Sequence, residues 1–597
     1  MRLQRHEVPV QETWNLTDLY QNDAEWEGAR QALTAQIPQV TAFKGRLGES
    51  AATLLAAIST YNGLLEQLLR LHTYAYLNTA TDGKNPVNQE RNGKANGLYA
   101  EFEAATSFVR SELLLLPEGT VEGWLTQNEG LAVYGPFLQR LLADKPYLLH
   151  PETEEALAAL GEVLGAPHMI YERAKASDVT CQPITLPDGT QVENSLVRYD
   201  QTLETSADVN LRRASYRSFS EGLGAFKNTL AATFATEIKK NVVLAKLRGF
   251  SSATAMHLHE QQVSAESYHN ILDIIGTELA PHMRRYAELR KRVLGLDHLL
   301  YCDLEAPLDP EFDPSIGWAE GAKITLEALS IYGPEYSAIM QRAVEERWVD
   351  FSDNVGKRTG AFCTAPYGDH PYVFMTWTNQ ARNMFTLAHE LGHAGHIHLA
   401  TQHQKVVNAM PSMFFIEVPS TLNELLVGDK LISEATDARM KRWVIMTLLR
   451  SYHHNFIRHL LEGELLRRIY ALAEAGESIT EGTLSATKGA ILAEFWGDSL
   501  QLDEYAKLTW MRQPHYYSGL YPYTYAAGLT AATAVAQSFK TEMQPAIDRW
   551  LEVLKAGGTK APLALMQMAG VDLTTTAPIK QAVAYVGSLV DELERLF

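Results

Sequence analysis

Phe385-Thr386-Leu387-Ala388-His389-Glu390-Leu391-Gly392-His393-Ala394-Gly395-His396 is the stretch around which the rest of this chain is organised. His389 and His393 are four residues apart, so a helix carries both imidazoles on one face, where they can reach a single metal ion. Glu390 follows the first histidine, and a carboxylate there can act as base on a water activated at that ion. With 19 His in 597 residues the pattern can arise by chance. Phe385, Leu387, Ala388, Leu391 and Ala394 nevertheless make the helix largely apolar, and polar groups on such a helix are costly to bury without a partner. The stretch is therefore read as a zinc-binding helix.

Zinc in a catalytic site usually has three protein ligands, so a third must be found. His396 is on roughly the same face, but a straight helix would have to bend to bring a third turn onto one tetrahedral ion. The extended pattern HExxHxxGxxH fails, because His396 stands where Gly is needed and Leu399 where His is needed. Downstream, Glu417 and Glu424 are seven residues apart and share a helical face. Either can ligate, and the other can then hydrogen-bond a ligating histidine. Their neighbours Phe414, Phe415, Leu422, Leu425 and Leu426 suggest partly buried carboxylates in need of a counter-charge.

A chain that is 46% hydrophobic and 21% charged has ample material for large cores. Its formal net charge of −19 works against phosphate backbones and anionic membranes, and no basic patch offsets it, so neither nucleic acid nor membrane is an expected partner. Cys181, Cys302 and Cys363 are odd in number and far apart, which fits a reducing compartment. No apolar run of signal-peptide length opens the sequence, and no later segment offers about 20 uninterrupted apolar residues. The expected location is cytoplasmic. The oligomeric state has no signal in the sequence.

Along the chain, helices dominate. Asn22 or Asp23 caps a helix carrying Trp26, and Leu54, Ile58, Tyr61, Leu65 and Leu68 form the stripe of a long helix from Ala51 to Leu77. Asp82-Gly83-Lys84-Asn85-Pro86 turns into a second helix through Tyr99, Phe102, Ala105 and Phe108 that stops at Pro117. A surface hairpin is predicted over 184–192, around Pro187-Asp188-Gly189. The N-terminal helical lobe is placed at 1–200 and the catalytic domain at 201–597. Leu299 to Leu304 reads as a strand. Between Trp348 and Thr378, short aromatic and β-branched runs bounded by Gly and Pro predict a small sheet just before the motif helix. An exposed edge of such a sheet can grip an extended peptide. No repeat, low-complexity tract or glycine-rich phosphate loop occurs.

His389-Glu390-Leu391-Gly392-His393 followed 24 residues after the second histidine by Glu417-Val418-Pro419-Ser420 resembles the thimet-oligopeptidase-type zinc metallopeptidases, and the whole chain is similar to their oligoendopeptidase F branch. Trp14-Asn15-Leu16-Thr17-Asp18-Leu19-Tyr20, Gly360-Ala361-Phe362-Cys363, His370-Pro371-Tyr372 and the tyrosine-rich segment near residue 520 match as well. The resemblance implies a mainly α, two-lobed fold with a deep channel, one Zn2+ per chain, and hydrolysis of internal bonds in short peptides. It assigns the metal to His389, His393 and Glu417, with Glu424 behind them and Glu390 as base. Gly360, Ala361, His370 and Tyr521 are expected to line the substrate.

His515-Tyr516-Tyr517-Ser518-Gly519-Leu520-Tyr521-Pro522-Tyr523-Thr524-Tyr525 concentrates imidazole and phenol donors beside a flexible Ser-Gly pair. The resemblance gives such a region the role of stabilising the oxyanion, with His515, Tyr523 and Tyr525 as the expected donors. A helix starting at Tyr521 would put Tyr521 and Tyr525 on one face and Tyr523 off it, whereas an extended segment would align all three. The alternatives are a zinc carboxypeptidase or dipeptidyl carboxypeptidase of similar helical fold, and a non-enzymatic peptide-binding scaffold.

Overall fold

The computed structural model describes residues 2–597, and the chain is overwhelmingly helical. It divides into two compact units, each discontinuous in sequence. The first takes the chain as far as Leu148, then Pro314–Lys430 and Val535–Val571; the second takes Leu149–Asp313, Leu431–Ala534 and Asp572–Phe597. The partition at 1–200 and 201–597 divides the chain rather than these units, because segments distant in sequence return to pack together.

In the first unit the N-terminal helices follow the sequence pattern. Asn22 caps the helix Asp23–Thr41 by accepting from the Glu25 N–H. Ala51–Thr81 buries Leu54, Ile58 and Leu68 of the expected stripe. Asn85 caps Pro86–Thr106, whose proline sits in the first turn, where no N–H is needed. One apolar core joins these helices to the small sheet: Trp14 meets Tyr372 edge-on at 6.0 Å and lies 5.9 Å from Phe374.

The predicted surface hairpin forms in the second unit from β1 (Ile184–Thr185) and β2 (Gln191–Val192), closed by Asp188, which accepts from the Thr190 N–H. The predicted sheet forms in the first unit from β3 (Val349–Asp350), β4 (Phe362–Thr364) and β5 (Tyr372–Phe374). Its order is β3-β5-β4, with β5 parallel to β3 and antiparallel to β4, so β4 is an edge. It packs on the motif helix, Asn383–His403. The strand expected over Leu299–Leu304 is a single bridge at Leu300 followed by a tight turn, Tyr301–Asp303. Asp303 causes this: its buried carboxylate accepts from Leu300 N–H and from Arg212 and Arg213, which closes the backbone on itself.

Among the described residues, no helix is long and apolar enough to cross a membrane.

Candidate metal centre and a histidine–tyrosine cluster

The motif helix and the helix Met413–Glu434 cross closely in the first unit. Gly392 makes the crossing possible, since a Cβ there would stand 2.5 Å from the Pro419 carbonyl oxygen and from Ser420 Cα. Asn423, fully buried, straps the two helices by donating to the Ala388 carbonyl at 3.1 Å while Tyr332 donates to its side-chain oxygen at 2.9 Å.

This crossing brings one carboxylate oxygen to both histidines. Glu417 Oε2 lies 3.3 Å from His389 Nε2 and 3.5 Å from His393 Nε2. Atoms bound at 2.0–2.1 Å to one tetrahedral ion stand about 3.3–3.4 Å apart, so this spacing fits a shared cation. His389, His393 and Glu417 are accordingly grouped as residues that could hold a metal. Glu424 plays a different part. His389 Nδ1 donates to Glu424 Oε1 at 2.6 Å, which fixes the tautomer that leaves Nε2 with its lone pair. Ser420 donates to Glu417 Oε2 at 3.1 Å and so aims the carboxylate.

Burial and charge set the electrostatics. Glu390 is 4% exposed and its Oε2 has no hydrogen-bond partner among the described residues. Burial pushes its carboxyl above the usual range, against the pull of His389 and His393. Cys363, on β4, is raised by burial and then by the Glu390 carboxylate, which places a thiol near that acid. His396 is not brought to the group: it is buried, turned edge-on to Phe415, and held at about 3 by burial.

Gly360 and Ala361 are exposed and lead into the edge strand β4. His370 is committed elsewhere, its ring stacked on Trp348 at 4.8 Å and 9°, its Nδ1 donating to the Pro371 carbonyl, and its Nε2 3.2 Å from Asp18.

The second unit holds His515 on a tight turn, Pro514–Tyr517, and the tyrosines on the helix Tyr521–Glu542. Because the helix begins at Tyr521, Tyr521 and Tyr525 share a face: Tyr525 Oη is 3.3 Å from Tyr521 Oη and 3.4 Å from His515 Nε2. Tyr523, expected with His515, is on the other side. It is fully buried, donates to Gln261 at 2.7 Å and meets Tyr268 edge-on, so its helical phase removes it from the donor group. Burial and His459 hold His515 down at about 4.

Sequence reasoning assigned no role to Gly392, Ser420 and Cys363, although all three stand in its matching segments, nor to Asn423. It also missed His459 and Glu462, whose three-residue spacing among the 19 His was a usable signal.

Comparisons with known proteins converge on one family. Residues 202–585 match peptidase family M3 and residues 112–180 match oligopeptidase F. Oligopeptidase PepF of Bacillus subtilis is 32% identical over 99% of this chain and 88% of its own length. A crystal structure of a protein from Chlamydophila abortus superposes with a TM-score of 0.92 at 26% identity over 100% of both chains. That of oligoendopeptidase-F from Enterococcus faecium does so with a TM-score of 0.73 at 27% identity, covering 96% of this chain and 99% of the other. Two histidines and a glutamate that could hold a metal, brought together by two helices, and full-length likeness to these proteins make this chain a metallopeptidase that belongs to peptidase family M3, in its oligopeptidase F branch.

Proposed function

We propose that the chain is a zinc-dependent endopeptidase of short oligopeptides, with one Zn2+ held by His389, His393 and Glu417. The observation that carries this is the single Glu417 oxygen lying 3.3 and 3.5 Å from two imidazole nitrogens. Two nitrogens and one carboxylate oxygen, with a fourth position left for water or substrate, form the donor set of a catalytic zinc. When bound, the ion supplies Lewis acidity toward a water and the scissile carbonyl. Glu424 keeps His389 in its ligating tautomer and raises its basicity. Glu390 takes the proton of the attacking water and passes it to the leaving amine. In the second unit, His515, Tyr521 and Tyr525 supply hydrogen-bond donors for the substrate. The β4 edge, entered through Gly360 and Ala361, suits an extended peptide backbone. The names of the relatives support cleavage of internal bonds, and three free cysteines fit a cytoplasmic location.

A library of C-terminally amidated peptides, analysed by mass spectrometry, tests this reading. An endopeptidase cleaves them internally. A carboxypeptidase or dipeptidyl carboxypeptidase requires the free carboxylate and leaves them intact, which overturns the proposal. Cleavage stops with chelator and returns with zinc, and Glu390→Gln keeps zinc while losing at least about a hundredfold in turnover.

A further inference from the structure

A second imidazole–carboxylate group lies against the tyrosines of the second unit. A stretch of wider helical turns, His453–Arg458, leads into the helix His459–Glu474. His459 is 1% exposed and Glu462 2% exposed. His459 Nδ1 donates to Glu462 Oε2 at 2.8 Å, and His459 Nε2 lies 3.1 Å from His454 Nε2. The His459 ring lies flat on Tyr525, with centroids 4.1 Å apart and planes within 12°. It meets His515 edge-on at 4.9 Å and 81°. One buried ring thus touches both partners of the 3.4 Å contact between Tyr525 Oη and His515 Nε2. A mere filler would be apolar, because burying an ionised carboxylate to hold it is costly.

We infer that His459, held by Glu462, is a positioning residue for His515 and Tyr525: the carboxylate fixes the rotation of the imidazole, and the imidazole fixes the plane of Tyr525 and the edge of His515. The inference rests on the reading of those two residues as hydrogen-bond donors to substrate. The ligating atoms of His459, Glu462 and His515 come within 4.8 Å of one another, so a cation is the competing reading. The 2.8 Å His459–Glu462 distance is that of a shared proton, shorter than the roughly 3.3 Å between two ligands of one tetrahedral ion.

The test is a double-mutant cycle on the zinc-loaded full chain with a peptide substrate. Tyr525→Phe is expected to lower kcat at least about tenfold. His459→Phe, which keeps a ring of similar size, is expected to lower kcat about tenfold with KM within about twofold, to cost clearly less in the Tyr525→Phe background than in the wild type, and to leave zinc content unchanged. A normal kcat for His459→Phe beside an impaired Tyr525→Phe overturns this inference alone, as do multiplying losses or a fall in zinc. An unimpaired Tyr525→Phe overturns the donor reading and this inference with it. If His459→Phe does not fold, Glu462→Gln, which preserves volume and an acceptor, decides the matter. Its kcat is expected to fall about threefold with KM unchanged, and an unchanged kcat overturns the inference.

Discussion

Two groups in this molecule are built from the same residue types with opposite geometry. In the first unit, Glu417 stands 3.3 and 3.5 Å from the nitrogens of His389 and His393; in the second, Glu462 stands 2.8 Å from His459. Half an ångström separates a spacing that fits two ligands of one ion from that of a direct hydrogen bond. The origin of the difference lies in the backbone. Glu462 is three residues after His459 on one helix, so it closes directly onto the ring. Glu417 comes from a separate helix whose approach is set by backbone contact at Gly392. Glu424, two turns further along that same helix, does close onto His389 at 2.6 Å, so it is the place of Glu417 at the crossing, and not a separate helix alone, that keeps its oxygen apart.

The largest effect expected from this contrast is in metal retention. Glu417→Ala loses zinc on dialysis and its activity with it, whereas Glu462→Ala keeps its zinc, as elemental analysis would record. Zinc retained by the first or lost by the second breaks the comparison. Glu424→Ala falls between them, with metal affinity weakened about 10–100-fold, since only the orientation and basicity of His389 are lost. Full loss in Glu424→Ala with retention in Glu417→Ala would reverse the two roles.

A smaller effect tests the crossing itself. Gly392→Ala puts a methyl group against the Pro419 carbonyl, and overpacking of this kind costs about 1–3 kcal/mol. The expected outcome is a lower denaturation midpoint together with weaker zinc binding. An unchanged midpoint with normal zinc would show that the helices are not held apart by backbone contact.

The smallest effect is the pH dependence of stability in the second unit. His515 is held at about 4 by burial and His459, well below its unfolded value near 6.5. The unfolded chain therefore takes the proton first, so this contribution is intact above pH 6.5 and is lost as the pH falls from there toward 4. His515→Phe should show a shallower fall in denaturation midpoint across that window, by up to one proton. An identical slope in variant and wild type would mean that His515 titrates normally.

The sequence by itself carried the local features. The four-residue spacing of His389 and His393, the stripe from Leu54 to Leu68, the Pro187-Asp188-Gly189 turn and the short aromatic runs before the motif each specify an element through contacts a few residues apart. The same local logic failed at Leu299–Leu304, where Arg212 and Arg213, about 90 residues earlier, hold Asp303 in a turn. The family was legible too, because each of its matching segments, from Trp14–Tyr20 to the tyrosines near 520, is a short contiguous run of the chain.

Tertiary structure alone decided the rest. Spacing left Glu417 and Glu424 equivalent as ligands and only the family resemblance preferred Glu417; the crossing of two helices supplies the physical difference, putting one oxygen against two nitrogens and the other against one. The tyrosine segment could be helical or extended, and a helix beginning at Tyr521 brought Tyr525 to His515 and committed Tyr523 to Gln261. His370 matched a family segment in sequence, yet the stacking face of Trp348 claimed its ring. In each case the deciding partner lies outside the local pattern, and only the packed chain brings it near.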